Sequence, residues 1–280
     1  MTPGLGFAVA AMLCFGASDL IYKRGAVAGI DGRQFAMLQA WIFCPGVTLY
    51  AWLSGNLHVN AAALWGALAG LCLVVAVINF VASLRSGAVS VNAPIFRLNF
   101  TITAALAVLL LGETLTVTKI AALACTLFAV WLLLAERGTR LPPLRSMAGI
   151  LIATLAMGLG NFCYKMGLLH GALPETMIAA QAWAFCPITT LIFWLHNRAF
   201  VFTPGAWRYT GSAAIILIAG FILLLHGLTT GFVSVLVPIS QMSFVVTALL
   251  GAVMFREQLN SRKLLGLAMA AAALGFFALS

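Results

Sequence analysis

Long apolar blocks separated by short polar or glycine-containing stretches run along the whole chain. Each block is about 17–23 residues, roughly what a helix needs to cross ~30 Å of hydrocarbon. A helix on the surface of a soluble protein keeps a polar stripe opposite its apolar one, whereas segments such as 104–111 and 213–225 are apolar on every face. Membrane β-strands alternate polar and apolar positions over about ten residues, and these segments do not. Lipid offers no partner for backbone N–H and C=O groups, so blocks of this kind must be helices. The pattern predicts an all-α membrane protein with ten spans, at about 4–22, 35–54, 62–84, 89–111, 118–135, 147–166, 177–196, 209–227, 233–254 and 262–279. The separation of the third and fourth spans rests on Leu84, Arg85, Ser86 and Gly87.

The chain then repeats itself. A shift of about 142 positions lays Gly16 on Gly158, Tyr22 and Lys23 on Tyr164 and Lys165, and Gly25 on Gly167. The same shift lays Gln39, Ala40 and Trp41 on Gln181, Ala182 and Trp183, and Phe43, Cys44 and Pro45 on Phe185, Cys186 and Pro187. Trp52 meets Trp194 and Trp65 meets Trp207. Past a two-residue insertion, Ser90 and Val91 match Ser234 and Val235, Pro94 matches Pro238, Glu113 matches Glu257 and Lys119 matches Lys263. Apolar chains produce chance matches of Leu and Ala, but not a run of Gln-Ala-Trp-x-Phe-Cys-Pro. The chain is read as two repeats, 1–140 and 141–280. Each holds five spans, an odd number, so the second enters the membrane from the opposite side. Inverted repeats of this kind build many secondary transporters, with the substrate site near the midplane between them; duplication can also simply enlarge a scaffold.

Composition agrees: 63% of the 280 residues are hydrophobic, 8% are charged, and the mean hydropathy is +1.10. A soluble domain carries about a quarter charged residues. The net charge of +9 would suggest nucleic acid in a soluble protein. Here the basic residues sit in short loops without interleaved aromatics, which reads as topology signals and contacts with membrane lipids, not nucleic acid. One side of the membrane collects Lys23, Arg24, Arg33, Arg85, Arg137, Arg140, Arg145, Arg198, Arg208, Arg256, Arg262 and Lys263, and the other has Lys119 and Lys165. By the positive-inside rule the first side is cytoplasmic and both termini face outward. The repeat gives an independent check. Arg24 has Met166 as its mate, while Gly112 and Thr118 have Arg256 and Arg262. Residues 1–10 lack the basic start of a signal peptide, so 5–22 is expected to be a retained helix of a multi-pass inner (plasma) membrane protein. The six cysteines fall inside the spans without metal-ligand spacing and read as small apolar residues.

Ten helices in duplicated five-helix halves, with a Pro-containing fourth helix closing in Leu111, Gly112 and Glu113, resemble the EamA-like branch of the drug/metabolite transporter superfamily. The second half matches from Pro238 through Phe255, Arg256 and Glu257. The resemblance implies ion-coupled or exchange transport of amino acids, other metabolites or drugs. It also implies cytoplasmic termini, where this chain's charges argue the reverse.

Candidate chemistry lies in the polar residues of the spans. Arg97, midway along the fourth, must face protein, a wet cavity or an anion. It either binds a carboxylate or phosphate of the substrate through its bidentate fork, or pairs with Asp19 or backbone carbonyls; its repeat mate is Gln241. Asp19, one turn before Lys23, is either an interfacial anchor or the proton-coupling group. Its mate Asn161 precedes Lys165 in the same spacing. Gln39 and Gln181 either cement helices or contact substrate. Trp41 and Trp183 read as interface aromatics or as binding platforms. Asn92, Asn99 and Thr103 share one face of the fourth span and Pro94, Arg97 and Thr101 another, with Ser240, Gln241, Ser243 and Thr247 in the ninth. Both helices are therefore expected at the centre of the bundle, with Pro94 and Pro238 as candidate hinges. Asn79 is expected to cement helices or touch substrate, and His226 to be a satisfied imidazole.

The expected function is secondary export or exchange of a small metabolite, such as an amino acid or organic anion, by alternating access between the halves, without a cofactor or metal. The alternatives are efflux of drugs or hydrophobic cations, or flipping of a lipid-linked substrate. A membrane-embedded enzyme fits less well, because the four histidines are scattered and no nucleophile or nucleotide-binding motif is present. The chain is expected to act as a monomer or homodimer.

Overall fold

The computed structural model describes residues 4–86, 89–134, 143–197, 200, 202–255 and 261–280. All regular structure among them is helical: α1 (Leu5–Val27), α2 (Gly32–Leu53), α3 (Ala63–Ser86), α4 (Val89–Arg97), α5 (Asn99–Leu111), α6 (Val117–Leu134), α7 (Leu144–Leu169), α8 (Pro174–Asn197), α9 (Ala206–Thr230), α10 (Val233–Gln241), α11 (Ser243–Phe255) and α12 (Ser261–Ala278). The ten expected spans are all present, with the fourth and ninth each in two pieces, α4–α5 and α10–α11. Among the described residues, nine are long and apolar enough to cross a membrane, and α6 is the shorter tenth. Gly87, Arg137, Arg140, Arg198, Arg256 and Glu257 lie outside the described residues.

Helices overrun the apolar blocks that announced them. α1 continues past the expected end at residue 22 to Val27, so Lys23 and Arg24 ride its last turns. Asp19 consequently sits about two turns inside the helix and not at its end. The turn to α2 is closed by Asp31, whose carboxylate accepts the Arg33 backbone N–H at 2.8 Å as an N-cap.

The two breaks are repeat mates, at Leu98 and Met242, four residues beyond Pro94 and Pro238, the candidate hinges. A proline weakens the helix on its N-terminal side, by losing its own N–H and by crowding the carbonyl four residues back. The breaks lie on the other side and are single tight turns. The Leu98 N–H bonds Ile95 O at 3.0 Å, and the Thr101 N–H bonds Leu98 O at 2.9 Å. Met242 and Val245 repeat this with Ile239 O and Met242 O. Polar side chains take up what the break frees: Asn99 Nδ2 donates to Phe96 O at 2.8 Å and Thr101 Oγ1 to Leu98 O at 2.7 Å. The interruption therefore costs few unpaired groups in a medium that tolerates none.

The halves are interleaved. Every helix makes its most extensive contacts with the other half: α1 with α9, α2 with α8, α3 with α7, and α6 with α12. The two sequence halves are therefore not separate packing units. The pseudo-two-fold axis passes between α2 and α8. There Trp41 Nε1 donates to Thr190 Oγ1 at 2.8 Å, and its mate Trp183 donates to Thr48 Oγ1 at 3.0 Å. Cys44 and Cys186, also mates, lie on the same pair of helices.

Small residues permit the closest approaches, as is usual where helices pack in lipid. A Cβ on Gly66 would lie 2.5 Å from Met177 O, and one on Gly70 would lie 2.4 Å from Gln181 O, so α3 runs against the backbone of α8. Gly70→Ala is expected to destabilise the protein by about 1–3 kcal/mol, read as a lower melting temperature in detergent. Gly275→Ala, whose Cβ meets nothing within 4 Å, should leave the melting temperature unchanged or slightly raised.

Candidate substrate site

The two breaks meet α1 at the centre of the bundle. Arg97 closes α4, Ser243 opens α11, and Asp19 comes from α1. Arg97 Nη2 lies 2.7 Å from Asp19 Oδ2, and Nη1 donates to Ser243 Oγ at 3.1 Å. Ser243 Oγ in turn donates to Asp19 Oδ2 at 3.1 Å, and Thr247 Oγ1 approaches the same oxygen at 3.4 Å. Of the alternatives the sequence left open for Arg97, the structure shows the pairing with Asp19. The pair is not sealed: the Arg97 and Asp19 side chains are 21% and 28% exposed.

The symmetry-related place, again shared by the two repeats, holds the same arrangement without charge. Thr103 Oγ1 donates to Gly158 O at 3.0 Å and Asn99 O at 3.2 Å, the counterpart of Thr247 with Gly16 O at 3.3 Å and Ser243 O at 3.1 Å. Asn161 Nδ2 donates to Asn99 Oδ1 at 3.3 Å where Asp19 faces Ser243. Gly16 and Gly158 let both helix crossings form, since a Cβ would lie 2.4 Å from Val246 Cβ or 2.6 Å from Ile102 Cβ. Duplication thus preserved the geometry, and substitution concentrated the charge in one copy.

The remaining sequence-derived candidates divide. Gln39 accepts a hydrogen bond from the Tyr22 hydroxyl, and Gln181 from Tyr164 at 2.6 Å, so each amide carbonyl ties a helix to its neighbour. Trp41 and Trp183 have their indole N–H groups engaged across the axis, and Trp41 also packs on Phe200, Phe202 and Trp207. Asn99 joins α5 to α7 through Asn161. Gln241 is buried at the end of α10. Asn79 donates to Val75 O, one turn back on its own helix, at 2.9 Å. Pro94 and Pro238 lie inside α4 and α10, beside the breaks. Only Arg97 and Asp19 among these are brought into direct contact, with Ser243 and Thr247 completing the cluster.

At the end of the bundle opposite the basic loops, charged residues hold the α9–α10 turn. Gly112, with φ +66°, ends α5 and turns Glu113 toward α10. The Glu113 carboxylate accepts the Val233 N–H at 2.8 Å, the Ser234 N–H at 3.0 Å and the Ser234 hydroxyl. It caps the positive end of that helix. Lys165 Nζ donates to Leu228 O at 2.7 Å and Gly231 O at 2.9 Å, satisfying carbonyls at the end of α9. Lys119, fully buried, donates to Thr114 O at 2.9 Å and stands 4.2 Å from the centre of the Phe232 ring. His226 is held by Ile222 O at 2.9 Å from Nδ1 and by Glu175 at 3.4 Å from Nε2. The sequence reading missed the role of Glu113, although a glycine-then-glutamate step at a helix end, with the glutamate repeated as Glu257, was the available sign.

Residues 2–135 and 144–279 each match the EamA-like transporter family. The chain belongs to the EamA-like transporter family. Its members are membrane transporters, and the two matched segments are the two repeats of this fold. A solved crystal structure, titled only as that of a protein, superposes with a TM-score of 0.83 over 99% of this chain and 98% of that one at 16% identity, a likeness of fold. No curated protein matches the chain. Within this EamA-like chain, the Leu-Gly-Glu step that carried the resemblance has a physical meaning: it stops α5 and caps α10.

Glu113→Ala should remove charge-assisted hydrogen bonds worth about 1.5–3 kcal/mol each at most, lowering the detergent melting temperature by several degrees. Glu113→Gln, which keeps an acceptor oxygen, should fall between the two. Equal melting of all three proteins would mean that the cap contributes nothing.

Proposed function

We propose that this EamA-like protein is a secondary transporter that exports or exchanges a small metabolite carrying a carboxylate, with Arg97 and Asp19 as the binding and coupling pair. The observation that carries this reading is a partly exposed ion pair at the crossing of two broken helices. A guanidinium in the membrane is costly unless paired, and an ion pair that retains access can exchange its anion. A substrate carboxylate competes with Asp19 for the fork of Arg97, and Ser243 and Thr247 remain to receive the Asp19 oxygen. Asp19, once displaced, is the group positioned to carry a proton in the opposite direction. Discontinuous helices with free ends at mid-membrane serve this kind of site in other inverted-repeat transporters.

Alternating access then follows from the difference between mates. α10 is buried along its whole length and clamped by Glu113, while the described part of α4 is mostly half-buried. This asymmetry supports a state closed on the side of Glu113 and looser on the basic side. The opposite state exchanges the environments of α4 and α10, with the tight turns at Leu98 and Met242 as the points that bend.

The test is transport in proteoliposomes with an imposed pH gradient, screening amino acids, organic acids and hydrophobic cations. Arg97→Gln should abolish transport of the carboxylate substrate with the protein still folded. Asp19→Asn should abolish gradient-driven accumulation while leaving exchange measurable. Full transport by Arg97→Gln would end its role as the anion receptor. Transport confined to hydrophobic cations and insensitive to Arg97→Gln would favour efflux of drug-like cations instead.

A further inference from the structure

Away from the bundle centre, a cavity of about 580 Å³ opens between α1 and α9 on the basic side of the molecule, lined in part by Ile21, Arg24, Val27, Arg208, Tyr209 and Ser212. Arg24 is in the last turn of α1 and Arg208 in the first turn of α9, so both lie where the helices leave the hydrocarbon. The residues from α1 recur every three or four positions, and Arg208 and Ser212 are one turn apart on α9, so each helix presents one face to the groove. None of the lining residues is acidic. Ile21, one turn back from Arg24, carries the groove toward the hydrocarbon, and Val27 stands exposed at its outer rim.

Topology alone asks only that basic residues lie in the cytoplasmic loops. It does not ask that two of them, from helices distant in sequence, face one groove of headgroup size. The inverted repeat provides an internal comparison. The mate of Arg24 is Met166 and the mate of Arg208 is Gly66, so the equivalent place at the opposite face of the membrane has neither guanidinium. The charged groove belongs to one leaflet, the one whose acidic lipids attract basic residues.

We propose that this groove binds the headgroup of an anionic phospholipid of the leaflet on the basic side, with its phosphate between Arg24 and Arg208. The acyl chains then descend past Ile21, on the membrane side of Arg24, and the Ser212 and Tyr209 hydroxyls line the same groove. A guanidinium suits this work better than an ammonium, because its planar fork meets two phosphate oxygens at once. The site stands apart from the Arg97–Asp19 pair and does not depend on the identity of the transported substrate.

The experiment is thermal unfolding of the full chain in detergent, with added phosphatidylglycerol or phosphatidylcholine of the same acyl chains, or inorganic phosphate alone. Ligand that binds only the folded state raises the melting temperature. Phosphatidylglycerol should stabilise the wild type more than phosphatidylcholine, and phosphate alone should do nothing. In Arg24→Gln/Arg208→Gln the preference should disappear, with phosphatidylglycerol binding weakened about thirtyfold, as expected for two basic contacts with an anionic leaflet. Should that variant fail to fold, Ser212→Trp fills the groove and leaves both charges, and it too should lose the preference. Equal stabilisation by the two lipids, or a preference that survives both variants, would overturn the proposal. Stabilisation by phosphate alone equal to that by phosphatidylglycerol would make the groove a soluble-anion site and overturn the lipid as occupant.

Discussion

A charged side chain inside a bilayer has to find its counter-charge within the protein, and the pairing of Arg97 with Asp19 is how this chain meets that demand. The pair draws together α1, the end of α4 and the start of α11, elements from both repeats. Ser243 and Thr247 support it with further hydrogen bonds to Asp19 Oδ2 and from Arg97 Nη1, since an ion pair in low dielectric gains from added hydrogen bonds to its partners. The glycines at 16 and 158 let the surrounding helices come close enough for such short contacts. Around this centre, the broken helices expose few unsatisfied backbone groups, because nearby side-chain amides and hydroxyls take them up.

The same physics acts at the end of the bundle opposite the basic loops. Glu113 supplies acceptors to the start of α10, and Lys165 supplies donors to the end of α9, so one turn is fixed through both of its unsatisfied ends. Lys119 adds a cation against Phe232. Three charged residues from two different repeats thus fasten a connection that a purely apolar loop would leave free to move. The centre and this end are therefore linked through α10, which runs from Glu113 to the break at Met242.

The pseudo-symmetry is informative where it fails. Asp19 and Arg97 face Asn161 and Gln241 across the repeat, and the Thr–Gly–backbone geometry is the same on both sides. Shared geometry marks what the scaffold requires, and the unshared charge marks what chemistry was added to one copy. Arg24 and Arg208 against Met166 and Gly66 follow the same logic at the surface, where the two leaflets differ in charge and the two copies face different leaflets.

The number of spans, the helical class, the duplication and its inverted sense were legible from the residues alone, because apolar block length and repeat spacing are local properties that the bilayer enforces on any chain. The family likeness rested on the same information. Asp19 was one of the partners the sequence offered Arg97, but the choice among them was not legible: Asp19 is far away in sequence, and only the packing of α1 against α11 decides that they meet. The position of the helix breaks was not legible for a related reason. Proline is visible in the sequence, but the place where a helix gives way depends on which side chains stand ready to receive its freed backbone groups. The interleaving of the halves and the capping of α10 by Glu113 likewise belong to tertiary structure, since both depend on which helices the pseudo-two-fold axis brings side by side.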